Sequence, residues 1–354
     1  MSNQLEKHVF RHLEEKTILT LPFSNEIKNI IHIDNFDIIV DYGNFAALLD
    51  SKTNEECIID NYDGEYRCVF STYEGIHILS STCVTTMFPE RRVHQVKAYD
   101  AYEQEENILV FIRENIREIE VYELEMEMTM LLRAVVKRKP YCVSMYNDPM
   151  LEVMTFKVIY STGNYVEIEK YDLNKCTMDK YRYKCAFDIR RCFDLGEDMV
   201  YCETESIGYL YHKSNSMNNF HDFRIKGIIE TGFMPTINSL YIRMDREFYI
   251  VGKQHIDGFV NENVDSIREY VETKPNCKCF EYDEACPKLS KCERYVIYIN
   301  EGKLNISETK GEYKILGQKK VDNDIEYTCI NLNENNYSVS LGTCGGDIII
   351  YSIG

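Results

Sequence analysis

The sequence contains no tryptophan and only 7 prolines in 354 residues, whereas 27 tyrosines and 16 phenylalanines supply its aromatic side chains. Aromatic and β-branched side chains suit the half-buried surface of a pleated sheet, so this composition favours strands. Hydrophobic residues make up 44% of the chain, which provides ample material for a core and argues against disorder as the default. The composition therefore points to an all-β fold.

Long apolar runs are also absent. No stretch approaches the roughly 18 apolar residues of a membrane span, and the longest runs are strand-sized pieces such as residues 348–351. The N-terminal segment MSNQLEKHVFRHLEEK carries charges throughout and has no apolar signal core. We therefore expect a cytoplasmic or nuclear protein with no membrane partner, in which the 14 cysteines are reduced.

Positive charge is scarce. The chain has 40 Lys and Arg against 58 Asp and Glu, which gives a formal net charge of −18 and a pI near 5.0. General nucleic-acid binders need a positive surface to displace counterions from phosphates, so this class is disfavoured. Any contact with RNA must be local.

None of the common catalytic motifs occurs in the sequence. It lacks the nucleophile elbow G-x-S-x-G, the zinc-protease motif H-E-x-x-H, the phosphate-binding G-x-x-x-x-G-K-[ST], and a G-x-G-x-x-G that leads from strand to helix. The 8 histidines are scattered singly. We therefore expect no enzymatic activity and no small-molecule substrate.

Pairs of short apolar and aromatic runs follow one another along the chain, each pair joined by a tight polar or glycine-containing turn. Each pair is the sequence signal of a β-hairpin. Successive pairs start about 43 residues apart on average, a spacing within the range of repeat proteins. The eight pairs begin at Phe36, Ile76, Ile108, Met154, Met199, Leu240, Tyr295 and Tyr337.

A period of about 40 to 45 residues with several strands per unit is typical of β-propellers with WD-type blades. In this period and hairpin pattern the chain resembles the WD40-like propeller superfamily. We predict one β-propeller domain over residues 17–354, with seven four-stranded blades. The final IIIYSI is expected to be a closing strand that completes a blade begun at the other terminus. Two packed β-sandwiches of about 170 residues each are the alternative.

The first residues have a different pattern. Leu5, Val9 or Phe10, and Leu13 follow helical spacing, which predicts a short amphipathic N-terminal helix over residues 1–16. One interpretation is that this helix packs under the propeller as a cap. The other is that it docks its apolar stripe in a groove of a partner.

The largest break in the period is an insertion over about residues 261–293, where Val264, Ile267 and Val271 predict a short helix. Four cysteines follow within the insertion, spaced C-x-C-x6-C-x5-C. Four thiolates can bind zinc tetrahedrally at about 2.3 Å each and staple a polar loop, although structural zinc sites usually pair their ligands as C-x2-4-C. A structural zinc is therefore one prediction and free thiols are the alternative, for Cys277, Cys279, Cys286 and Cys292.

Two groups of basic residues stand out against the acidic background. The guanidinium of Arg and the ammonium of Lys are the side-chain groups that contact phosphates. The two basic clusters are therefore candidate contacts to RNA or to an acidic partner. The alternative is a solvated blade edge on which they pair with nearby Glu and Asp. The two groups are Arg91 with Arg92, and Arg133 with Lys137, Arg138 and Lys139.

Two classes of function remain open. In length and in its Ile-, Asn-, Lys-, Tyr- and Cys-rich composition the chain is similar to the dormancy factors of microsporidian ribosomes. This similarity implies a hibernation factor that silences translation by occupying the exit-tRNA region, bound through ribosomal proteins and local rRNA contacts. The alternative is a propeller scaffold or adaptor within a multiprotein complex, such as a ubiquitin ligase, a nuclear pore or coat, or a chromatin complex.

Overall fold

A computed structural model describes residues 13–353, apart from residues 21–24, 34–36, 51–52, 54, 61, 73–74, 89, 106, 114–116, 126, 136–141, 149–152, 162–164, 176, 185–188, 195–198, 204–207, 215–216, 224–226, 235, 253, 256–265, 284, 291 and 335–336. The described residues form 32 β-strands and one seven-residue helix, arranged as eight four-stranded sheets. The chain divides into two compact units, Met1–Ala98 with Glu281–Gly354, and Tyr99–Phe280.

The first unit holds four sheets, each of which is antiparallel. The strands of the first two sheets are β2 (Asn29–His32), β3 (Asp37–Asp41), β4 (Ala46–Asp50), β5 (Glu55–Ile58), β6 (Tyr66–Ser71), β7 (Ile76–Ser80), β8 (Cys83–Phe88) and β9 (Arg92–Gln95). Those of the other two are β26 (Lys288–Leu289), β27 (Tyr295–Asn300), β28 (Lys303–Glu308), β29 (Ile315–Lys320), β30 (Tyr327–Asn333), β31 (Ser338–Thr343), β32 (Asp347–Ile353) and β1 (Leu13–Thr20).

The second unit holds the other four sheets and the helix α1 (Ile267–Thr273). Its first two sheets are formed by β10 (Ala101–Glu105), β11 (Ile108–Arg113), β12 (Glu118–Leu124), β13 (Met128–Val135), β14 (Cys142–Asp148), β15 (Val153–Ser161), β16 (Tyr165–Asp172) and β17 (Thr177–Lys184). The last two are formed by β18 (Arg191–Asp194), β19 (Met199–Glu203), β20 (Gly208–Ser214), β21 (Met217–Phe223), β22 (Glu230–Met234), β23 (Ser239–Arg243), β24 (Glu247–Gly252) and β25 (Cys277–Glu281).

The hairpins predicted from the sequence are the two central strands of these sheets. The pairs that begin near Phe36 and Ile108, for example, are β3 with β4 and β11 with β12. The central strands are covered on both faces, so they read as continuous apolar runs rather than alternating ones. All six residues of β11 are buried, whereas three of the four residues of β5, at a sheet edge, are exposed. The sequence thus reveals the central strands and leaves the edge strands indistinct.

The sheet count is eight, one more than the estimate of seven blades. The estimate set one of the eight hairpins aside as a closing element. In the structure every hairpin has its own sheet, and the termini share the last one, in the order β1-β32-β31-β30. The sheet is completed by the N-terminal strand β1, while the IIIYSI segment lies in β32 between two neighbours.

The prediction of a helix over residues 1–16 is wrong for its last turn, and residues 1–12 lie outside the described residues. Leu13 begins strand β1, which runs antiparallel to β32 with Leu13 opposite Ile353 and Thr20 opposite Asp347. The physical reason is that the C-terminal segment supplies only three strands to its sheet. Pairing with β1 satisfies the backbone groups of β32 and buries Leu13 and Leu19, so the expected boundary at residue 16 falls inside a strand.

The predicted insertion is only partly an insertion. Its helix is present as α1, which begins after the N-cap Ser266 and buries Ile267, Tyr270 and Val271 against the sheet β22–β25, while Val264 lies outside the described residues. The cysteine-containing part supplies β25 and β26, the last strand of one sheet and the first strand of the next. The extra length of this repeat therefore lies between β24 and β25 and includes the helix α1.

The core consists of apolar clusters between neighbouring sheets of the same unit. One cluster joins the sheet of β1 and β30–β32 to β2–β5, and another joins β2–β5 to β6–β9. In the second unit Val121 and Phe156 belong to the cluster between β10–β13 and β14–β17. Among the described residues, no helix is long and apolar enough to cross a membrane.

Candidate interaction surfaces

The four cysteines of the predicted zinc site enter different environments. Cys277 is buried in the apolar cluster beside α1, and Cys279 lies half-buried near Arg268, and burial raises the pKa of both thiols. Cys286 is exposed, and the Sγ of Cys292 lies 3.3 Å from the hydroxyl of Ser290. In the part of the chain that the structure describes, no three His, Cys, Asp or Glu side chains are grouped so as to hold a metal ion.

Cys277 and Cys279 lie in β25, the last strand of its sheet, whereas Cys286 precedes β26 and Cys292 follows it. Alternation along β25 also places Cys277 and Cys279 on the same face of their strand, directed at that sheet's own neighbours. Structural zinc at these four cysteines stays a prediction.

Two of the six predicted basic residues are paired with carboxylates in the part of the chain that the structure describes. Arg92 in β9 lies 3.1 Å from Glu90, and the neighbouring Arg91 is exposed. Arg133 in β13 donates from Nε to Glu118, which lowers the pKa of that carboxyl. Lys137, Arg138 and Lys139 lie outside the described residues. Pairing with nearby acids is the arrangement that the solvated-edge alternative expects, and RNA binding by these groups stays a prediction.

Arg133 belongs to a buried network of charges on the sheet β10–β13. Arg113 lies 3.0 Å from Glu118 and 2.5 Å from Glu120, and its side chain is only 6% exposed. Glu120, at 1% exposure, also accepts a hydrogen bond from the hydroxyl of Tyr122 at 2.7 Å. Burial, with the adjacent Glu120, raises the pKa of Tyr122 to about 12. Each buried charge is thus matched by an opposite charge or a donor, as burial requires.

The neighbouring sheet β14–β17 repeats this arrangement. Lys180 lies 2.5 Å from Glu167 and 3.1 Å from Glu169, and Tyr171 donates to Glu169 at 3.2 Å. Glu169 faces Lys180 across the strand pair, as Glu120 faces Arg133 in the first sheet. The sequence shows the repeated arrangement as two similar segments, EIEVYEL and EIEKYDL. Catalytic and ligand-binding motifs do not include this pattern, so it was not predicted. The networks tie third strands to fourth strands and are structural.

The most enclosed histidine is also structural. His77 in β7 is 1% exposed, its two ring nitrogens lie 2.8 Å from Thr72 and 3.0 Å from Thr86, and its ring stacks on Phe70. Burial, together with the nearby His94, lowers its pKa to about 4. A neutral imidazole held between two hydroxyls and closed to water is unsuited to act as a general base.

An acid-lined cavity lies in the first unit, between strands of the sheet β26–β29 and the segment that follows it. Its volume is about 290 Å³. It contains three carboxylates and no basic side chain, and it is lined by Asp283, Ile299, Glu301, Gly302, Val321, Asp322, Asn323 and Tyr327. The three carboxylates give the cavity a negative charge at neutral pH, which favours cations over anions there.

A tight turn at Gly302 forms part of the lining of this cavity. Gly302 has a φ of +66°, in the tight turn between β27 and β28, and the backbone amide of Val321 donates to its carbonyl at 3.0 Å. A Cβ at Gly302 would meet the side chain of Asn323, so only glycine fits the turn without displacing that neighbour. The amide of Asp322 donates to the hydroxyl of Tyr327 at 3.2 Å. These two hydrogen bonds hold the lining residues Gly302, Val321, Asp322 and Tyr327 in place.

Comparison with known proteins gives different results for sequence and for structure. No protein-family model matches the sequence, and no curated protein matches it. Sqt1 of Saccharomyces cerevisiae matches in structure with a TM-score of 0.55 at 10% identity, over 98% of this chain and 99% of that chain. The Dos1 propeller matches with a TM-score of 0.58 at 8% identity, over 97% of this chain and 96% of that chain.

The C-terminal WD40 domain of Sif2 matches in the same way, with a TM-score of 0.54 at 9% identity over 98% of this chain and 100% of that chain. The chain has the fold of the WD40 β-propellers. This fold confirms the predicted propeller and excludes the alternative of two β-sandwiches. At such low identity the similarity concerns the fold alone, and these three structures do not show the similarity to microsporidian dormancy factors.

Proposed function

We propose that this WD40-type propeller is a non-catalytic interaction scaffold, which holds a basic segment of another protein. The observation that carries the proposal is the fold, which matches propeller domains over nearly the whole chain. Propellers present a rigid framework on which binding loops and side chains are mounted. His77 is held by hydrogen bonds and Cys277 is packed in an apolar cluster, and among the described residues no three His, Cys, Asp or Glu side chains are grouped so as to hold a metal ion.

The charge of the chain supports a basic partner. A protein with a formal net charge of −18 attracts cationic surfaces and repels nucleic acid at a distance. The cavity lined by Asp283, Glu301 and Asp322 offers a place for one cationic side chain of that partner. Complementary charge of this kind speeds association and fixes orientation. A subunit of a ubiquitin ligase, a nuclear pore or coat, or a chromatin complex is the setting in which such a scaffold would act.

The ribosome hypothesis has less support. It expected binding through ribosomal proteins with local Arg and Lys contacts to rRNA, and of these basic residues Arg92 and Arg133 are paired with carboxylates of this chain. No observation favours the exit-tRNA region as a binding site. The hypothesis differs from the scaffold in its prediction, because binding to rRNA phosphates is lost after nuclease treatment whereas binding to a protein is retained.

The test is sedimentation of native cell extract through a sucrose gradient, with and without nuclease and at low and high salt, followed by immunodetection of this chain. The scaffold predicts a heavy complex that survives nuclease and contains other proteins. Co-migration with ribosomes that is lost on nuclease treatment would contradict the scaffold and restore the ribosome hypothesis.

Cavity variants test the cationic contact separately. In Asp283→Asn/Glu301→Gln/Asp322→Asn, recovery of the nuclease-resistant partner should fall about tenfold, the size expected for about 1.4 kcal/mol of lost binding free energy. The matched control removes three exposed carboxylates of the same unit that lie outside the cavity, Glu65→Gln/Glu312→Gln/Glu326→Gln. Equal losses in both variants would mean that the total charge, and not the cavity, recognises the partner.

A further inference from the structure

Two buried cysteines face each other on neighbouring strands of the sheet β18–β21. Cys192 lies in β18 and Cys202 lies in β19, and the antiparallel register places them directly opposite each other. Their Sγ atoms are 3.2 Å apart, and both side chains carry thiols in this structure. Cys192 is 5% exposed and Cys202 is 0% exposed. Strand pairing therefore holds these two thiols in contact with each other.

The geometry of this strand pair is compatible with a disulfide. A disulfide joins residues whose Cα atoms are about 4.4 to 6.8 Å apart, through an S–S bond of about 2.05 Å. Opposite residues of an antiparallel pair have Cα atoms about 4.5 or 5.5 Å apart, so either kind of pair meets this requirement. From their separation of 3.2 Å the two sulfurs must approach by only about 1 Å. Rotation of the two side chains supplies this movement while the strands stay paired.

The apolar surroundings of the pair favour one oxidation product over the others. Cys192 and Cys202 belong to a buried cluster between this sheet and the sheet β14–β17, together with Ile159, Ile189 and Val200. A disulfide carries no charge and needs no hydrogen-bond partner, so it suits such a cluster. A sulfinic or sulfonic acid would bring a negative charge into the same apolar surroundings, which is unfavourable.

We propose that Cys192 and Cys202 are a modification site, at which hydrogen peroxide converts the two thiols into a reversible disulfide within one chain. Hydrogen peroxide is about as small as water, so it can approach a thiol that has little exposed surface. Cys192 reacts first because it is the more exposed of the two. The site is independent of the basic partner proposed above, since the acidic cavity lies in the other compact unit.

The reaction has two steps. The thiol of Cys192 gives its proton to solvent and its sulfur attacks one oxygen of the peroxide, so that the O–O bond breaks, hydroxide leaves as water, and a sulfenic acid remains. Cys202 then loses its proton and attacks the sulfur of Cys192, so that the S–S bond forms, the S–O bond breaks and a second water leaves. Overall, the two thiols lose two electrons and two protons, and one peroxide is reduced to two waters.

The disulfide would hold a short strand on its neighbour. Strand β18 has only four residues, it is the first strand of its sheet, and among the described residues it pairs with β19. A cross-link between the two strands limits the conformations that β18 can reach when it opens. We therefore expect oxidation to slow hydrogen exchange of the β18 amides by at least about tenfold.

The first test maps disulfides in the full chain. The reduced protein is treated with hydrogen peroxide, remaining thiols are blocked with N-ethylmaleimide under unfolding conditions, and the non-reduced digest is analysed by mass spectrometry. We expect one peptide pair joined through Cys192 and Cys202, which dithiothreitol separates. The exposed Cys57 and Cys286 show whether the oxidant has reacted. If these two are oxidised while Cys192 and Cys202 are recovered blocked, or as sulfinic acids, the proposal is wrong.

The second test uses variants and hydrogen exchange. In Cys202→Ala, peroxide should give no disulfide at Cys192 and no added protection of β18; Cys192→Ala tests the same point if the first variant fails to fold. The matched control is Cys83→Ala, because Cys83 is equally buried but lies opposite Gln95. This control should respond to peroxide as the unmodified chain does. Protection of β18 that persists in a folded Cys202→Ala or Cys192→Ala variant overturns the proposal.

Discussion

Charged side chains inside the sheets are matched residue by residue. In the sequence EIEVYEL, Glu118 and Glu120 of β12 point to one face, where Arg113 and Arg133 meet them. The intervening Ile119 packs into the apolar cluster on the other face. The period of two in a strand makes this division possible. The repeated EIEKYDL has the same division, with Lys180 as the cation.

Glu120→Gln tests this matching. The substitution keeps the shape of the side chain but removes the charge that faces the 6%-exposed Arg113, so we expect the free energy of unfolding to fall by about 3 kcal/mol, as for the loss of one partner of a buried pair. Urea unfolding measures this change in the free energy of unfolding. The control is Glu312→Gln, whose exposed pair with Lys314 should contribute nothing measurable. Equal stabilities of the two variants would refute the buried network.

Two buried histidines make stability depend on pH. Burial lowers the pKa of His32 and His77 to about 4, from about 6.5 in the unfolded chain. Between these values the unfolded state binds more protons than the folded state. Stability is therefore complete above about pH 6.5 and is lost as the pH falls from there towards 4.

The expected result is a lower urea midpoint at about pH 5 than at about pH 7.5. In His77→Gln the difference between the two pH values should shrink, because one of the two groups no longer titrates. The remaining carboxylates are common to both proteins, so they cancel in this comparison. An unchanged difference would show that His77 is not the group responsible.

At the scale of elements, the terminal strand β1 completes the sheet of β30, β31 and β32. It pairs with β32 along its whole length, and it carries Leu19 into a cluster with Ile27 and Ile348. Without it, β32 would become an exposed edge in a sheet of three strands. A strand from one end of the chain thus stabilises a sheet made from the other end.

Truncation tests this closure. Removal of residues 1–20 should lower the thermal midpoint and promote aggregation, because it uncovers β32 and removes two buried leucines. Removal of residues 1–12 leaves β1 intact and serves as the control. Differential scanning fluorimetry with light scattering follows both effects. If the two truncations behave alike, the closure by β1 does not contribute to stability.

At the scale of the whole molecule, net charge and fold act together. A propeller with a formal net charge of −18 attracts a basic partner over a distance set by the ionic strength. Once the nuclease-resistant partner is purified, the association rate constant should fall steeply between about 0.05 and 0.5 M salt, while the dissociation rate changes less. Stopped-flow or biolayer measurements separate the two rates. An association rate independent of salt would argue against electrostatic recognition.

The sequence by itself determined the repeat. Buried central strands such as β11 and β27 are continuous apolar runs, so their spacing is visible without any structure, and with it the propeller and the helix α1. The edge strands are not visible in this way, because a half-exposed strand such as β9, with the sequence RVHQ, has no apolar pattern. Its place depends on pairing with the strand before it.

Only the tertiary structure decided which residues separated in sequence come together. The spacing of Leu5, Val9 or Phe10, and Leu13 predicts a helix to residue 16, yet residues 13–16 belong to a strand. The C-terminal segment supplies only three strands to its sheet, and tertiary pairing overrides local propensity. Cys277 and Cys279 belong to β25, whereas Cys286 and Cys292 lie before and after β26, so their closeness in sequence does not place them in one strand. The acidic cavity likewise joins Asp283 to Glu301 and Asp322, which no local pattern relates, because strand pairing across the sheet sets these distances.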